Sequence, residues 1–96
     1  MPALLVAQIH PRDSSKMPAY AAAAAPTLAA FGGEVLHRGS FQSVLLGNAE
    51  PHALGVLRFP DVQSAKNWFA SPAYQAVAQL REEAADMTFV LFDIAG

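Results

Sequence analysis

Residues 53–81, ALGVLRFPDVQSAKNWFASPAYQAVAQLR, decide the predicted fold, because a strand, a break, a helix, a second break and a second helix follow one another there. Leucine, valine and phenylalanine dominate Ala53–Phe59, which predicts a strand. Pro60 ends that strand because proline has no N–H to donate to a sheet. Asp61 then occupies the N-cap position of a helix, where its carboxylate can accept from backbone N–H groups of the first turn.

The first helix of this stretch carries its aromatic residues at adjacent positions. Val62, Ala65 and Phe69 recur at helical spacing, so we expect these three to face the core. Trp68 lies about 100° round the helix from Phe69 and is expected at the edge of that face. From there an indole can cover a cleft, or it can pack in the core or against a partner subunit, and both interpretations stay open.

The second helix is predicted to begin at Ser71 and Pro72, a hydroxyl cap followed by a first-turn proline. The residues on one of its faces are Tyr74, Val77, Ala78, Arg81 and Ala85. Arg81 therefore falls in the middle of an otherwise apolar face. A buried, unpaired guanidinium is costly, so Arg81 must extend to water, pair with an acid such as Glu34, Asp93 or one from a partner subunit, or bind an anionic ligand.

The rest of the chain supplies a helix and the other strands. A helix is expected from near Ser15 or Pro18 to about Phe31, ended by the glycine pair 32–33. The remaining strands are predicted at residues 3–10, at 34–38 continuing over 41–46 after a bulge or bend at 39–40, and at 87–94. With right-handed crossovers, this order predicts a single α+β domain over residues 1–96, a ferredoxin-like βαββαβ fold whose helices cover one side of a four-stranded antiparallel sheet.

Both faces of this sheet are predicted to be apolar. Leu4 and Val6 point to one face of the first strand, and Leu5 and Ala7 point to the other. Because the helices cover only one face, the other needs a cover. A hydrophobic fraction of 53% with only 15% charged residues also favours a partner subunit. We therefore expect a homodimer in which two sheets face each other.

Composition argues against several classes of function. A net charge of −2 provides no basic surface for nucleic acid. The absence of cysteine rules out disulfides and thiolate chemistry. The N-terminal apolar run is too short for a signal peptide or a membrane span, so a cytoplasmic protein without a membrane partner is expected.

The segments GGEVLHRGS at 32–40 and RFPDVQSAKNWFASPAYQ at 58–75 resemble domain-of-unknown-function family 1330, a small bacterial family of the dimeric α/β-barrel (ferredoxin-like) superfamily. The resemblance covers essentially the whole chain, and Arg81 belongs to it. Ala73 stands where the family often has glutamate, so a role for that acid is absent here. The resemblance implies a homodimer with a cleft between sheet and helices in each subunit. It implies no single reaction, since superfamily relatives include cofactor-free monooxygenases, haem-degrading enzymes and isomerase-like proteins.

Five residues are predicted to bind a ligand in that cleft: Arg81, Arg38, Tyr74, Trp68 and Tyr20. Two arginines suit a carboxylate, which a guanidinium binds in bidentate fashion. The tyrosines can orient a ligand or act as weak general acids, or they can simply pack with their hydroxyl groups on carbonyls. The expected ligand is a small apolar or carboxylated metabolite, bound without a cofactor.

No catalytic residue is assigned. His10, His37 and His52 are scattered along the chain without the spacing of metal ligands, so no metal site is predicted. His37 is a poor general base for a site at Arg38, because neighbouring strand residues point to opposite faces. Two functions stay open: a cofactor-independent enzyme or binding protein, and a structural or regulatory dimer without small-molecule chemistry.

Overall fold

The secondary structure of residues 1–95, described by a computed structural model, follows the predicted order, with the last helical region divided into three short helices. The elements are β1 Ala3–Pro11, α1 Met17–Leu28, β2 Glu34–Ser40, β3 Ala53–Phe59, α2 Val62–Ala70, α3 Pro72–Gln75, α4 Ala78–Ala84 and β4 Ala85–Asp93. Short 3-10 turns precede and follow α1.

The four strands form one antiparallel sheet in the order β2-β3-β1-β4. In the central strand β1, Leu5 lies opposite Leu57 of β3 and Leu91 of β4. β2 is an edge strand, with an irregularity in its pairing between Val35 and His37. The predicted α+β, ferredoxin-like arrangement is confirmed, and β3 has the predicted bounds.

The core lies between the sheet and the helices. Ala3, Leu5 and Ala7 alternate along β1 and are buried on the helix side. The largest fully buried side chains are those of Phe59, Trp68 and Tyr74. The ring of Trp68 lies 4.1 Å from that of Tyr74 and 5.5 Å from that of Phe59, centroid to centroid. An aromatic cluster thus joins β3, α2 and α3.

The prediction that Phe69 faces the core is wrong, and of the alternatives left open for Trp68 the structure supports packing in the core. Trp68 is 1% exposed and belongs to the core, whereas Phe69 is 42% exposed. The Asp61 carboxylate caps α2 as predicted, accepting from the backbone N–H of Ser64 at 2.7 Å. With the start fixed there, Ala65 and Trp68 are the buried positions of α2. The indole can be buried because its N–H donates to the hydroxyl oxygen of Thr27 at 2.9 Å.

The prediction of one helix after Ser71 is also wrong. Ser71 caps α3 as expected, but α3 ends at Gln75, and Val77 leaves the helical conformation with φ −98° and ψ 2°. A new helix, α4, then runs to Ala84, and Ala85 already belongs to β4. The Ala84 carbonyl accepts from the backbone N–H groups that follow β1, at Arg12 and Asp13. This tether holds the end of α4 beside β1, so the chain enters β4 two residues before the predicted start.

The prediction that residues 41–46 continue the second strand is wrong as well. β2 ends at Ser40, which lies opposite Ala53, the first residue of β3. Beyond Ser40 no neighbouring strand is left to pair with, so residues 41–52 form a loop. Leu45 and Leu46 in this loop are 96% and 95% exposed. The strand irregularity lies near Leu36, not at the glycine and serine of 39–40.

The centre of the second face of the sheet is apolar, as predicted, and polar residues such as Gln8, Arg58 and Thr88 lie toward its ends. Val6 lies opposite Val56 on one side and Val90 on the other, and Leu4 lies opposite Phe92. Val90 and Phe92 are exposed, and no helix of residues 1–95 packs on this face. We call this surface, formed by Leu4, Val6, Val56, Val90 and Phe92, the open face.

None of the helices in the described part of the chain has both the length and the hydrophobicity needed to cross a membrane.

The segment that follows α1 packs closely against β3, and this contact can be tested by substitution. A Cβ atom added at Gly33 would lie 2.6 Å from Cε1 of Phe59, whose ring is fully buried and has little freedom to move. We expect Gly33→Ala to lower the free energy of unfolding by about 1–3 kcal/mol. The measurement is urea unfolding at a fixed protein concentration. Gly39→Ala is the control, because its Cβ would make an ordinary contact with Leu54 at 3.7 Å; equal losses in both variants would contradict the packing described.

Candidate functional site

A cavity of about 470 Å³ lies between α1 and the helix side of the sheet. Its volume is within the range of sites for small organic ligands. Its lining residues are Ala7, Ile9, Met17, Pro18, Tyr20, Ala21, Ala24, Ala25, Leu28, Val35, Arg38, Gly39, Ala53, Leu54, Gly55, Leu57, Trp68, Met87 and Phe89. The expected pocket between sheet and helices is therefore present, although α1 forms its main wall and the helices that follow β3 contribute Trp68.

The cavity exists because small residues face each other across this part of the layer. α1 contributes Ala21, Ala24 and Ala25 to the lining, and the sheet below contributes Ala7 and Gly55. An alanine extends one carbon from the backbone, so side chains from the two layers do not meet and fill the space. The alanine run at 21–25 indicated a helix in the sequence but gave no sign of this cavity, and Ala21, Ala24 and Ala25 are among the lining residues that sequence reasoning missed.

Almost all of the lining is apolar. Among the described lining residues, the side chains with polar atoms are Tyr20, Arg38 and Trp68. Trp68 Nε1 already donates to Thr27 Oγ1 at 2.9 Å, and Thr27 donates in turn to the carbonyl of Ala24 at 2.6 Å. Trp68 therefore presents its ring to the cavity, and Tyr20 and Arg38 supply its polar groups.

Arg38 lies on the cavity side of β2. It is opposite Gly55 of β3, whereas His37 is opposite Val56 of the open face. The two neighbours thus point to opposite sides of the sheet, as predicted. Within residues 1–95 no carboxylate lies within ion-pair distance of Arg38. Its positive charge is accordingly available to an anionic group in the cavity.

Arg81 occupies a different environment. Its guanidinium lies 5.6–5.9 Å from the ring centroids of Phe69, Tyr74 and Phe89, at cation–π distance. Its one acidic neighbour in the described chain is the exposed Glu82 at 4.0 Å, a weak ion pair, and Glu34 pairs instead with Arg58. Arg81 is not among the lining residues, so Arg81 and Arg38 do not meet in the cavity.

Tyr74 connects Arg81 to the cavity. Arg81 Nη1 donates to Tyr74 Oη at 3.2 Å, and Tyr74 Oη lies 2.8 Å from Tyr20 Oη. Tyr74 is fully buried and does not line the cavity, whereas Tyr20 does. Burial raises the pKa of Tyr20 well above its usual value, so its hydroxyl stays protonated at neutral pH.

The histidines lie away from the cavity lining. The rings of His10 and His52 are 5.6 Å apart at the base of the loop 41–52, an arrangement that their separation in sequence did not predict. Within residues 1–95 no three histidine or acidic side chains are clustered in the manner of a metal site.

The Trp68–Thr27 hydrogen bond is testable because Thr27 can be altered conservatively. Thr27→Val keeps the shape of the side chain but leaves the buried indole N–H without an acceptor, which should cost about 1–3 kcal/mol in the free energy of unfolding. Thr27→Ser keeps the hydroxyl and should restore most of that loss. Urea denaturation followed by tryptophan fluorescence measures both variants. A valine variant as stable as wild type would show that this hydrogen bond does not hold the indole.

Solved structures with the same fold include proteins with and without a described activity. A protein of unknown function from Rhodopseudomonas palustris has a TM-score of 0.82 at 18% identity, covering 99% of this chain and 83% of its own. SnoaB, a cofactor-independent oxygenase from Streptomyces nogalater, has a TM-score of 0.72 at 11% identity, covering 99% and 94%. A dimeric ferredoxin-like protein of unknown function from Jannaschia sp. CCS1 has a TM-score of 0.68 at 12% identity, covering 98% and 100%. At these identities the likeness shows a shared fold.

No functionally curated protein matches the sequence. Residues 2–95, nearly the whole chain, match the family described as Domain of unknown function (DUF1330). The resemblance inferred from the segments at 32–40 and 58–75 is thereby confirmed, and the chain belongs to this family.

Proposed function

We propose that the protein is a homodimer that binds a small, flat, apolar metabolite bearing a carboxylate, in the cavity between α1 and the sheet. The observation that carries this proposal is the apolar cavity of about 470 Å³ in which Arg38 is the one charged residue among the described lining. A mostly apolar cavity that opens to solvent favours an apolar ligand body, and a single guanidinium at its exposed edge selects for an anionic substituent.

The walls favour an aromatic ligand. Trp68 and Phe89 present rings to the cavity, and aromatic rings stack on one another with favourable geometry. Met87 adds a polarisable thioether, which adapts to ligands of different outline. A fused two-ring carboxylate is small enough for the cavity volume and can use both kinds of contact.

The lining supports binding more strongly than acid–base catalysis. The described lining residues include no aspartate, glutamate, histidine or lysine, and Tyr20 keeps its proton at neutral pH. None of the described lining side chains can therefore accept a proton from a ligand. The shared fold with a cofactor-independent oxygenase does not outweigh this composition, so binding is the function that we propose.

The homodimer is supported by the open face and by relatives. A contiguous exposed apolar surface on a sheet is typical of an interface between subunits. Dimeric ferredoxin-like proteins from Bacteroides fragilis and Jannaschia sp. CCS1 share the fold, with TM-scores of 0.59 and 0.68. Pairing two open faces would bury Val6, Val90 and Phe92 of each subunit.

The ligand proposal is tested with 2-naphthoate as a probe. We expect wild-type protein to bind it and Arg38→Gln to weaken binding about tenfold or more, because a charge-assisted hydrogen bond is lost. Isothermal titration calorimetry measures both dissociation constants. Arg12→Gln is the matched control, since Arg12 is exposed and pairs with Asp86 at 3.8 Å outside the cavity. A wild-type protein that binds no member of an aromatic carboxylate series would favour the structural or regulatory dimer instead.

The dimer is tested by placing a charge on the open face. Wild-type protein should have the mass of two chains in light scattering, and Val90→Glu should shift it toward one chain, because a buried unpaired carboxylate is costly. Phe69→Glu is the control, since Phe69 and Val90 are exposed to similar degrees, 42% and 44%, but Phe69 lies on the helix side. A wild-type protein that is a folded single chain at micromolar concentration would contradict the dimer.

A further inference from the structure

We infer that Arg81, Tyr74 and Tyr20 form a one-directional hydrogen-bond relay that turns the Tyr20 hydroxyl proton toward the cavity. The ligand would then carry a carbonyl-type oxygen acceptor at Tyr20, separate from the carboxylate at Arg38. This inference rests on the proposed function, because it specifies the ligand of the same cavity.

The direction of the relay is set at Arg81. A guanidinium carries only donors, so in the 3.2 Å contact the Tyr74 oxygen accepts. Arg81 is held in this position by three aromatic rings, and its acidic neighbour in the described chain, the exposed Glu82 at 4.0 Å, forms only a weak ion pair with it.

The second link follows from the burial of Tyr74. Its hydroxyl has two side-chain partners within residues 1–95, Arg81 and Tyr20, and the residue is fully buried. If Tyr74 accepted from both, its own proton would be buried without an acceptor, which costs free energy. The Tyr74 proton therefore lies in the 2.8 Å contact, and the Tyr20 oxygen accepts it.

The third link ends at the cavity. Once the Tyr20 oxygen accepts from Tyr74, its own proton needs a different acceptor, and no other side chain of the described residues is bonded to it. Tyr20 lines the cavity, and its hydroxyl remains protonated at neutral pH. Hydrogen bonds in a chain polarise one another, so the charge of Arg81 strengthens the donor at the far end. Arg81 and Tyr74 are thus positioning residues, and Tyr20 is the group that contacts the ligand.

The relay restricts the class of ligand. Arg38 and Tyr20 both offer donors, and no side chain with a free acceptor is found among the other described lining residues. A ligand with a hydroxyl or amine directed at these walls would lose hydrogen bonds to water without replacement. A ligand with a carboxylate and a ring carbonyl would satisfy both donors. Oxo-substituted aromatic carboxylates are therefore the class that fits.

Two probes of similar size separate the carbonyl from the carboxylate. Chromone-2-carboxylate has both groups, and 2-naphthoate has the carboxylate alone. We expect Tyr20→Phe to weaken binding of chromone-2-carboxylate about tenfold and to change binding of 2-naphthoate less than about twofold. Isothermal titration calorimetry measures the dissociation constant of each probe for wild-type protein and for folded Tyr20→Phe. The loss of affinity for chromone-2-carboxylate divided by the loss for 2-naphthoate isolates the carbonyl contact from a general loss of packing.

The relay itself is tested with Tyr74→Phe, which keeps the ring stacked on Trp68 but removes the middle hydroxyl. We expect Tyr74→Phe to weaken binding of chromone-2-carboxylate selectively, by a smaller factor than Tyr20→Phe does. The inference is overturned if either substitution affects both probes equally, or if neither substitution affects chromone-2-carboxylate. If wild-type protein binds neither probe, the proposed function fails and this inference fails with it. If wild-type protein binds both probes but the substitutions are not selective for chromone-2-carboxylate, only this inference fails.

Discussion

The layer between the sheet and the helices is filled unevenly, and the candidate site depends on that imbalance. At one end, the fully buried rings of Phe59, Trp68 and Tyr74 occupy the space completely. At the other end, α1 faces the sheet with alanines such as Ala21 and Ala24, and a cavity remains. Protein interiors are normally packed without gaps of this size, and this unfilled volume beside a dense aromatic cluster is the basis of the binding site that we propose.

The aromatic cluster also orders the polar groups at the edge of the cavity. Trp68 is fixed by its hydrogen bond to Thr27, and Tyr74 packs on the indole while it bonds to Arg81 and Tyr20. Tyr20 is therefore held in place by Tyr74 and, through it, by Arg81, and neither of these two residues lines the cavity. The same aromatic rings that stabilise the core thereby pre-organise the binding surface that we propose.

Much of the fold could be predicted because it depends on local signals. Pro60 and Asp61 mark the junction of β3 and α2, and alternation along the strands gives two apolar faces. The orientation of Trp68 could not be predicted, because Trp68 and Phe69 are adjacent and the choice depends on Thr27, 41 residues away. The early start of β4 likewise depends on a distant tether, the Ala84 carbonyl, which accepts from the backbone N–H groups of Arg12 and Asp13 beside the end of β1.

The candidate site was predicted less completely than the fold. Arg38 and Tyr20 could be named because they are a charged and a hydroxyl side chain at positions expected on the sheet and helix. The cavity could not be located, because an unfilled volume is a property of two facing surfaces and leaves no pattern in one chain segment. Arg81 was conspicuous in the sequence as a charge on an apolar helix face, but only the three-dimensional contacts show that it lies among three rings and bonds to Tyr74.

The central claim is that the unfilled half of the layer is where a ligand binds. An isotope-filtered NOE experiment on labelled protein with unlabelled 2-naphthoate tests it directly, because it reports which protein methyl groups lie near the bound ring. We expect contacts from the naphthalene protons to the methyl groups of Ala21, Ala24 and Met87, which line the cavity. Contacts confined to Val6, Val56 and Val90 would place the probe on the open face and rule out binding in the cavity.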